Sequence, residues 1–164
     1  MFKILVEGID QPVLRLFARP KRALADAGLS PHLLLDGLRV ILWGVAAAAG
    51  VAWWRIDPAS DLGPLFAVAG TALSLWALVM GFGHPAWDVE SYKEALSVAA
   101  DHARPFKIAI RITGLAILSV LVVAVLARGF GQAEWPGELV FLCVVARNAL
   151  GDYVEAAEPP PPQG

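Results

Sequence analysis

The sequence has a single cysteine, Cys143. One thiol cannot close an intramolecular disulfide or build a cysteine metal cluster. Placed inside the apolar run 139–146, it reads as a small packing residue. Charge is also scarce: Asp, Glu, Lys and Arg together make up 17% of the chain, against about 25% in soluble domains. The net charge is only -2, and no basic face is extensive enough to hold nucleic acid, so no nucleic-acid partner is expected. The histidines, His32, His84 and His102, are far apart in the sequence, and no third ligand is evident beside any of them. A Gly-x-Ser-x-Gly turn, a His-Glu-x-x-His helix and a Walker loop are all absent. The expectation is a protein without catalytic residues, metal or cofactor, and not an enzyme.

What the sequence does have is apolar residues, 57% of the chain with a mean hydropathy of +0.61, gathered into blocks. Blocks of this length are what a bilayer demands. The fold class that follows is all-α: an integral membrane helix bundle with three clear transmembrane helices, a short fourth, and an amphipathic surface helix between spans two and three. The boundaries read as an N-terminal arm over 1–29, a transmembrane domain over 30–157 with spans at 33–54, 62–82, 106–127 and 138–156, and a Pro-rich tail over 158–164. Ser30-Pro31 offers an N-cap and a first-turn proline for the first span. Trp53 and Trp54 close its far end at belt height. The stretch 62–82 carries no charge at all, and Ser60 or Asp61 can cap it. In the third span, Lys107 and Arg111 stand one turn apart, where both can snorkel to one interface.

The remaining segments are more polar. The arm mixes Val13, Leu14, Leu16 and Phe17 with Arg15, Arg19, Lys21 and Arg22, between Pro12 and Pro20. It can lie in the interface or pack on the bundle. Apolar Ile4-Leu5-Val6 is interrupted by Glu7 and Asp10, which does not predict a cleavable signal peptide. Between spans two and three, Asp88 can cap a helix whose stripe is Val89, Tyr92, Leu96 and Ala99. The fourth element begins apolar and ends with Arg147, Asn148, Asp152 and Glu155. It either crosses or leaves the bilayer at Ala146; four crossings is the expectation. Arg147, Asn148 and Asp152 are then the candidate intramembrane polar cluster. The prolines of the tail predict an exposed polyproline extension.

Small residues mark candidate packing positions: Gly44, Ala48 and Gly50 in the first span, Gly70 and Ser74 in the second. Such spacings let helix backbones approach closely. Orientation follows positive charge. Lys3, Arg15, Arg19, Lys21, Arg22 and Arg39 precede or open span one, and Lys93, Arg104, Lys107 and Arg111 lie between spans two and three; the other two connections hold only Arg55 and Arg128. The N-terminus is therefore expected in the cytoplasm. The Ala- and Arg-rich composition suggests a bacterial source and hence the inner membrane. The functional expectation is a non-enzymatic structural or accessory subunit, with the lipid bilayer and either its own copies or another membrane protein as partners. The competing expectation is a holin-like or other small pore or transport protein.

Overall fold

The computed structural model describes residues 2–84, 87–128 and 135–161. Described residues form helices α1 (Phe2–Leu5), a π-helical turn (Val6–Asp10), α2 (Gln11–Asp26), α3 (Leu33–Ile56), α4 (Leu62–Phe82), α5 (Val89–His102), α6 (Pro105–Arg128) and α7 (Trp135–Ala156), with no strand among them. Most of the connection expected before the fourth element, 129–134, and the end of the tail, 162–164, lie outside the described residues.

Three helices, α3, α4 and α6, are long and apolar enough to cross a membrane. With 24, 21 and 24 residues, they run about 36, 32 and 36 Å at 1.5 Å per residue, against a hydrocarbon core of about 30 Å. Few of their side chains are enclosed by protein. Val68, Trp76, Val79 and Phe82 of α4 and Val120, Val123 and Leu126 of α6 are all exposed. Water would penalise so much exposed apolar surface, whereas lipid tails accept it. Hydroxyls on these faces turn inward along their own helices: Thr71 donates to the carbonyl of Ala67 and Ser119 to that of Leu115.

The long helices pack in the order α4–α3–α7–α6. α3 therefore has two partner faces, each lined by small residues. Toward α4 it presents Ala47, Gly50 and Trp54. A Cβ on Gly50 would lie 2.5 Å from the amide nitrogen of Ala67; one on Gly63 would lie 2.6 Å from that of Trp54; one on Gly70 would lie 2.8 Å from that of Ala47. No side-chain movement relieves a contact with backbone, so these glycines set the helix spacing. Ser74 donates across the same seam to the carbonyl of Val40 at 3.0 Å, and Gly44 faces the Ser74 hydroxyl. Gly44, Gly50, Gly70 and Ser74 lie along this seam. Ala48 is exposed. At about 100° per residue it is turned away from Ala47, the centre of the seam. Gly63, which belongs to the seam, was missed.

Toward α7, α3 presents Leu35 and Trp53, which meet Gly151 and Gly137 respectively. Buried Ala46 and Ala49 fall on that same stripe by helical periodicity. Because Leu35 lies near one end of α3 and Trp53 near the other, α7 runs antiparallel to α3 over nearly its whole length. On α7's other side Ala149 meets Gly114 of α6.

α2 and α5 pack against the C-terminal end of α7. α2 continues as helix through Pro20. The Asp88 carboxylate accepts the Ser91 amide at 2.8 Å, which caps α5 as the sequence predicts and holds its own carboxyl below the usual carboxylate range. The buried side of α5 runs Tyr92, Ala95, Leu96, Ala99, His102, and Val89 is exposed. The tail departs from expectation. Pro159 and Pro160 are buried, and Trp87 donates its indole N–H to the carbonyl of Pro160 at 3.1 Å.

The α3–α4 seam makes a direct prediction. Gly50→Leu and Gly63→Leu, each overpacking backbone against backbone, are expected to cost about 1–3 kcal/mol or more. Ala48→Leu should be close to neutral. Thermal unfolding in a mild detergent distinguishes them; equal losses at all three positions would contradict the seam.

Candidate functional site

Polar groups gather at one end of the helix row, where α3 and α6 begin and α4 and α7 finish. Two buried carboxylates organise it. The first is Asp10, at the end of the π-helical turn. Its Oδ1 and Oδ2 accept from Nε and Nη2 of Arg111 at 3.2 and 2.9 Å, a two-pronged pair between residues that are 1% and 2% exposed. The remaining Nη1 donates to the carbonyl of His102 at 2.5 Å. That carbonyl ends α5, where helix geometry leaves it without an intrahelical donor and a cation is favoured. The guanidinium lies 5.5 Å from the centroid of the fully buried Tyr153 ring. Tyr153 in turn stacks on Phe17 of α2 at 6.5 Å, and its hydroxyl faces Asp10 without closing a short hydrogen bond. Arg111 therefore does not reach out to headgroups beside Lys107, as its spacing suggested. It turns into the protein and joins the arm, α5 and α7.

The second carboxylate is Asp36, in the first turn of α3. It receives Arg39 at 3.0 Å and His84, which follows α4, at 2.5 Å. His84 stacks on His32 at 5.3 Å, and His32 meets the edge of Trp87. Burial, followed by the nearby His84 and Lys21, pushes the His32 imidazole below the ordinary histidine range. Lys21 of α2 donates to the carbonyl of Ala157 at 2.7 Å, just past the C-terminus of α7. Burial lowers its amine to about 8, with the Glu155 carboxylate pulling the other way. These groups surround a cavity of about 270 Å³, with Lys21, His32, His84, Trp87, Glu94 and Glu155 in its wall. The size and mixed lining suit one small polar molecule or a cluster of waters.

The candidate polar cluster of α7 is divided between two places. Arg147 donates to Oδ1 of its neighbour Asn148 at 2.8 Å on an exposed surface. Asp152 instead converges with Glu155 and with His102 of α5. Sequence reasoning missed Asp10, Lys21, Asp36 and Tyr153 as parts of a site. A signal was present: Asp10 interrupts an apolar stretch, and Arg111 lies a full turn beyond Lys107 inside another. Each would be costly alone, and opposite charge makes them candidates for each other. No family model, no curated protein and no solved structure matches this chain.

Two tests follow. Asp10→Asn leaves the buried Arg111 charge uncompensated, at an expected cost of about 3–5 kcal/mol. Asp10→Ala with Arg111→Met, which removes both charges, should recover most of it. Denaturation in detergent micelles measures both, and additive losses would contradict the pairing. The second concerns pH. Lys21 binds its proton less tightly folded, at about 8, than unfolded, at 10.5. Between those values the unfolded chain holds more protons, so stability should rise with pH across that window. Lys21→Met should abolish the contribution, read as a flatter pH dependence of the unfolding midpoint.

Proposed function

We propose that this chain is a four-crossing protein of the bacterial cytoplasmic membrane with both termini in the cytoplasm, serving as a non-enzymatic subunit that packs against other membrane helices. The fourth crossing is supported by the position of α7. Its 22 residues give about 33 Å, and its contacts with Leu35 and Trp53 keep it level with α3 at both ends. Its lower apolar content suits a helix enclosed by α3 and α6 instead of lipid. Clustering of Lys21, Arg39, Arg104 and Arg111 at the end bearing α2 and α5 supports the orientation.

The observation that carries the subunit reading is the outer face of α6. Ala109, Thr113, Ala116 and Val120 lie on one helical stripe, all exposed. In a bilayer, apolar bulk does not draw helices together; close approach at small residues does. Glycine and alanine seams already close α3–α4 and α6–α7, and this stripe repeats the pattern with no helix against it among the described residues. The same closed seams favour packing over a pore.

Topology and assembly test separate halves of the proposal. A reporter fused after Gly164 should give a cytoplasmic signal, and a periplasmic one would eliminate the fourth crossing. In mild detergent, the mass of the protein component should exceed the 17.4 kDa chain, and Thr113→Leu with Ala116→Leu should reduce it. A monomer without partners would refute the subunit reading.

A further inference from the structure

Asp152 and Glu155 stand one turn apart near the end of α7, and His102 closes α5. One ligand-capable atom from each lies within 4.8 Å of the other two. The imidazole is oriented from outside this group. Nδ1 of His102 is 2.9 Å from the carbonyl oxygen of Val98. A carbonyl only accepts, so Nδ1 carries the proton and donates it. In the neutral ring Nε2 then holds a lone pair, and that lone pair faces Oε2 of Glu155 at 3.6 Å. A second carboxylate, Asp152, stands beside them.

Three electron-pair donors converging in this way call for positive charge between them, supplied either by a second proton on Nε2 or by a metal ion. The separation of 3.6 Å exceeds the roughly 2.7–3.2 Å of an N–H···O bond. Two ligands on a tetrahedral metal ion, each at about 2.1 Å, stand about 3.4 Å apart. A metal-bound histidine characteristically anchors its other nitrogen on a carbonyl or carboxylate, as His102 does on Val98. The neighbouring cations have other partners. Arg39 reaches Glu155 only at 3.9 Å and holds Asp36 at 3.0 Å. Lys21 donates to Ala157, and Arg111 is held by Asp10 and the His102 carbonyl. The Glu155 side chain is 36% exposed, which leaves a path of entry from water.

We propose that His102, Asp152 and Glu155 form a binding site for a divalent first-row transition-metal ion, which ties the end of α5 to the end of α7. One imidazole nitrogen with carboxylate oxygens and no thiolate suits ions of the zinc, cobalt and manganese class, and water would complete the coordination. The site is distinct from the reading of the chain as a membrane subunit and does not depend on it.

Cobalt(II) provides the probe. The full chain, purified in mild detergent through a tag without histidine and stripped with chelator, is titrated with cobalt(II) while visible absorption is followed. One ion per chain is expected, displaced by zinc(II). Asp152→Asn and Glu155→Gln should each weaken binding at least about tenfold, and His102→Gln should remove the absorption bands. Asp101→Asn, next to His102 but engaged with Arg104 on the surface, should bind as the parent does. Absence of cobalt bands from the parent protein would overturn the site and leave His102 and Glu155 as an ordinary ion pair. Bands that persist without Asp152 and Glu155, or that are lost instead through His84→Gln, would also overturn it.

Discussion

Arg111 carries a permanent charge and five N–H donors into a position that is 2% exposed. A residue of this kind cannot be buried unless its surroundings supply acceptors in the plane of the guanidinium and an opposite charge. Here Asp10 supplies the charge and two acceptors, the end of α5 a third acceptor, and Tyr153 the face of a ring. Those partners come from the arm, the connecting helix and the last helix. Satisfying one side chain of α6 therefore fixes how three other segments meet. Lys21 on the end of α7 and Asp36 beneath His84 then close the remaining polar groups at the same end.

The helix row is organised by a different rule. α4 and α6, at the edges, are the most apolar of the long helices and the least enclosed. α7, between α3 and α6, is less apolar yet has many buried positions, Val140, Cys143, Ala146 and Tyr153 among them. The inversion is physical. In lipid, hydropathy measures contact with acyl chains, and a helix surrounded by other helices has less need of it. Close packing instead demands small residues, which is why Gly50, Gly63 and Gly70 occupy the one seam and Gly114 and Ala149 the other.

The same distinction explains what was legible in the sequence. The three apolar helices could be read because length and absence of charge are local properties. The structure begins α3 at Leu33 with no side-chain cap, so the Ser30-Pro31 pair precedes the helix. Gly44, Gly50, Gly70 and Ser74 could be read from spacing; Ala48 could not be told from Ala47, because an alanine-rich stretch satisfies several spacings and only the partner helix selects one. The polar end was largely illegible. Asp10 and Arg111 are 101 residues apart, and nothing in either neighbourhood names the other. His102 likewise has no third ligand nearby in sequence, because Asp152 and Glu155 arrive from a helix that begins beyond the next span. The tail prolines were misjudged for a related reason: composition predicts a solvated extension, while burial of Pro159 and Pro160 depends on the indole of Trp87 being there to bond to it.

Spacing along the chain also orders assembly. Seam contacts between α3 and α4 join helices separated by a short turn, so they close little loop entropy and need no other element. The Asp10–Arg111 pair closes a much longer loop and has its full strength only in surroundings already stripped of water. It is thus favoured only after α6 and α7 are side by side and Tyr153 is in place. Of the small-residue seams only α3–α4 and α6–α7 join neighbours in the chain; the α3–α7 seam, like the Asp10–Arg111 pair, joins distant segments. The polar groups therefore contribute less to holding the long helices together than to selecting one arrangement of the segments at their end. That division also leaves the outer face of α6, with Ala109, Thr113, Ala116 and Val120 exposed, outside the ionic network at the polar end.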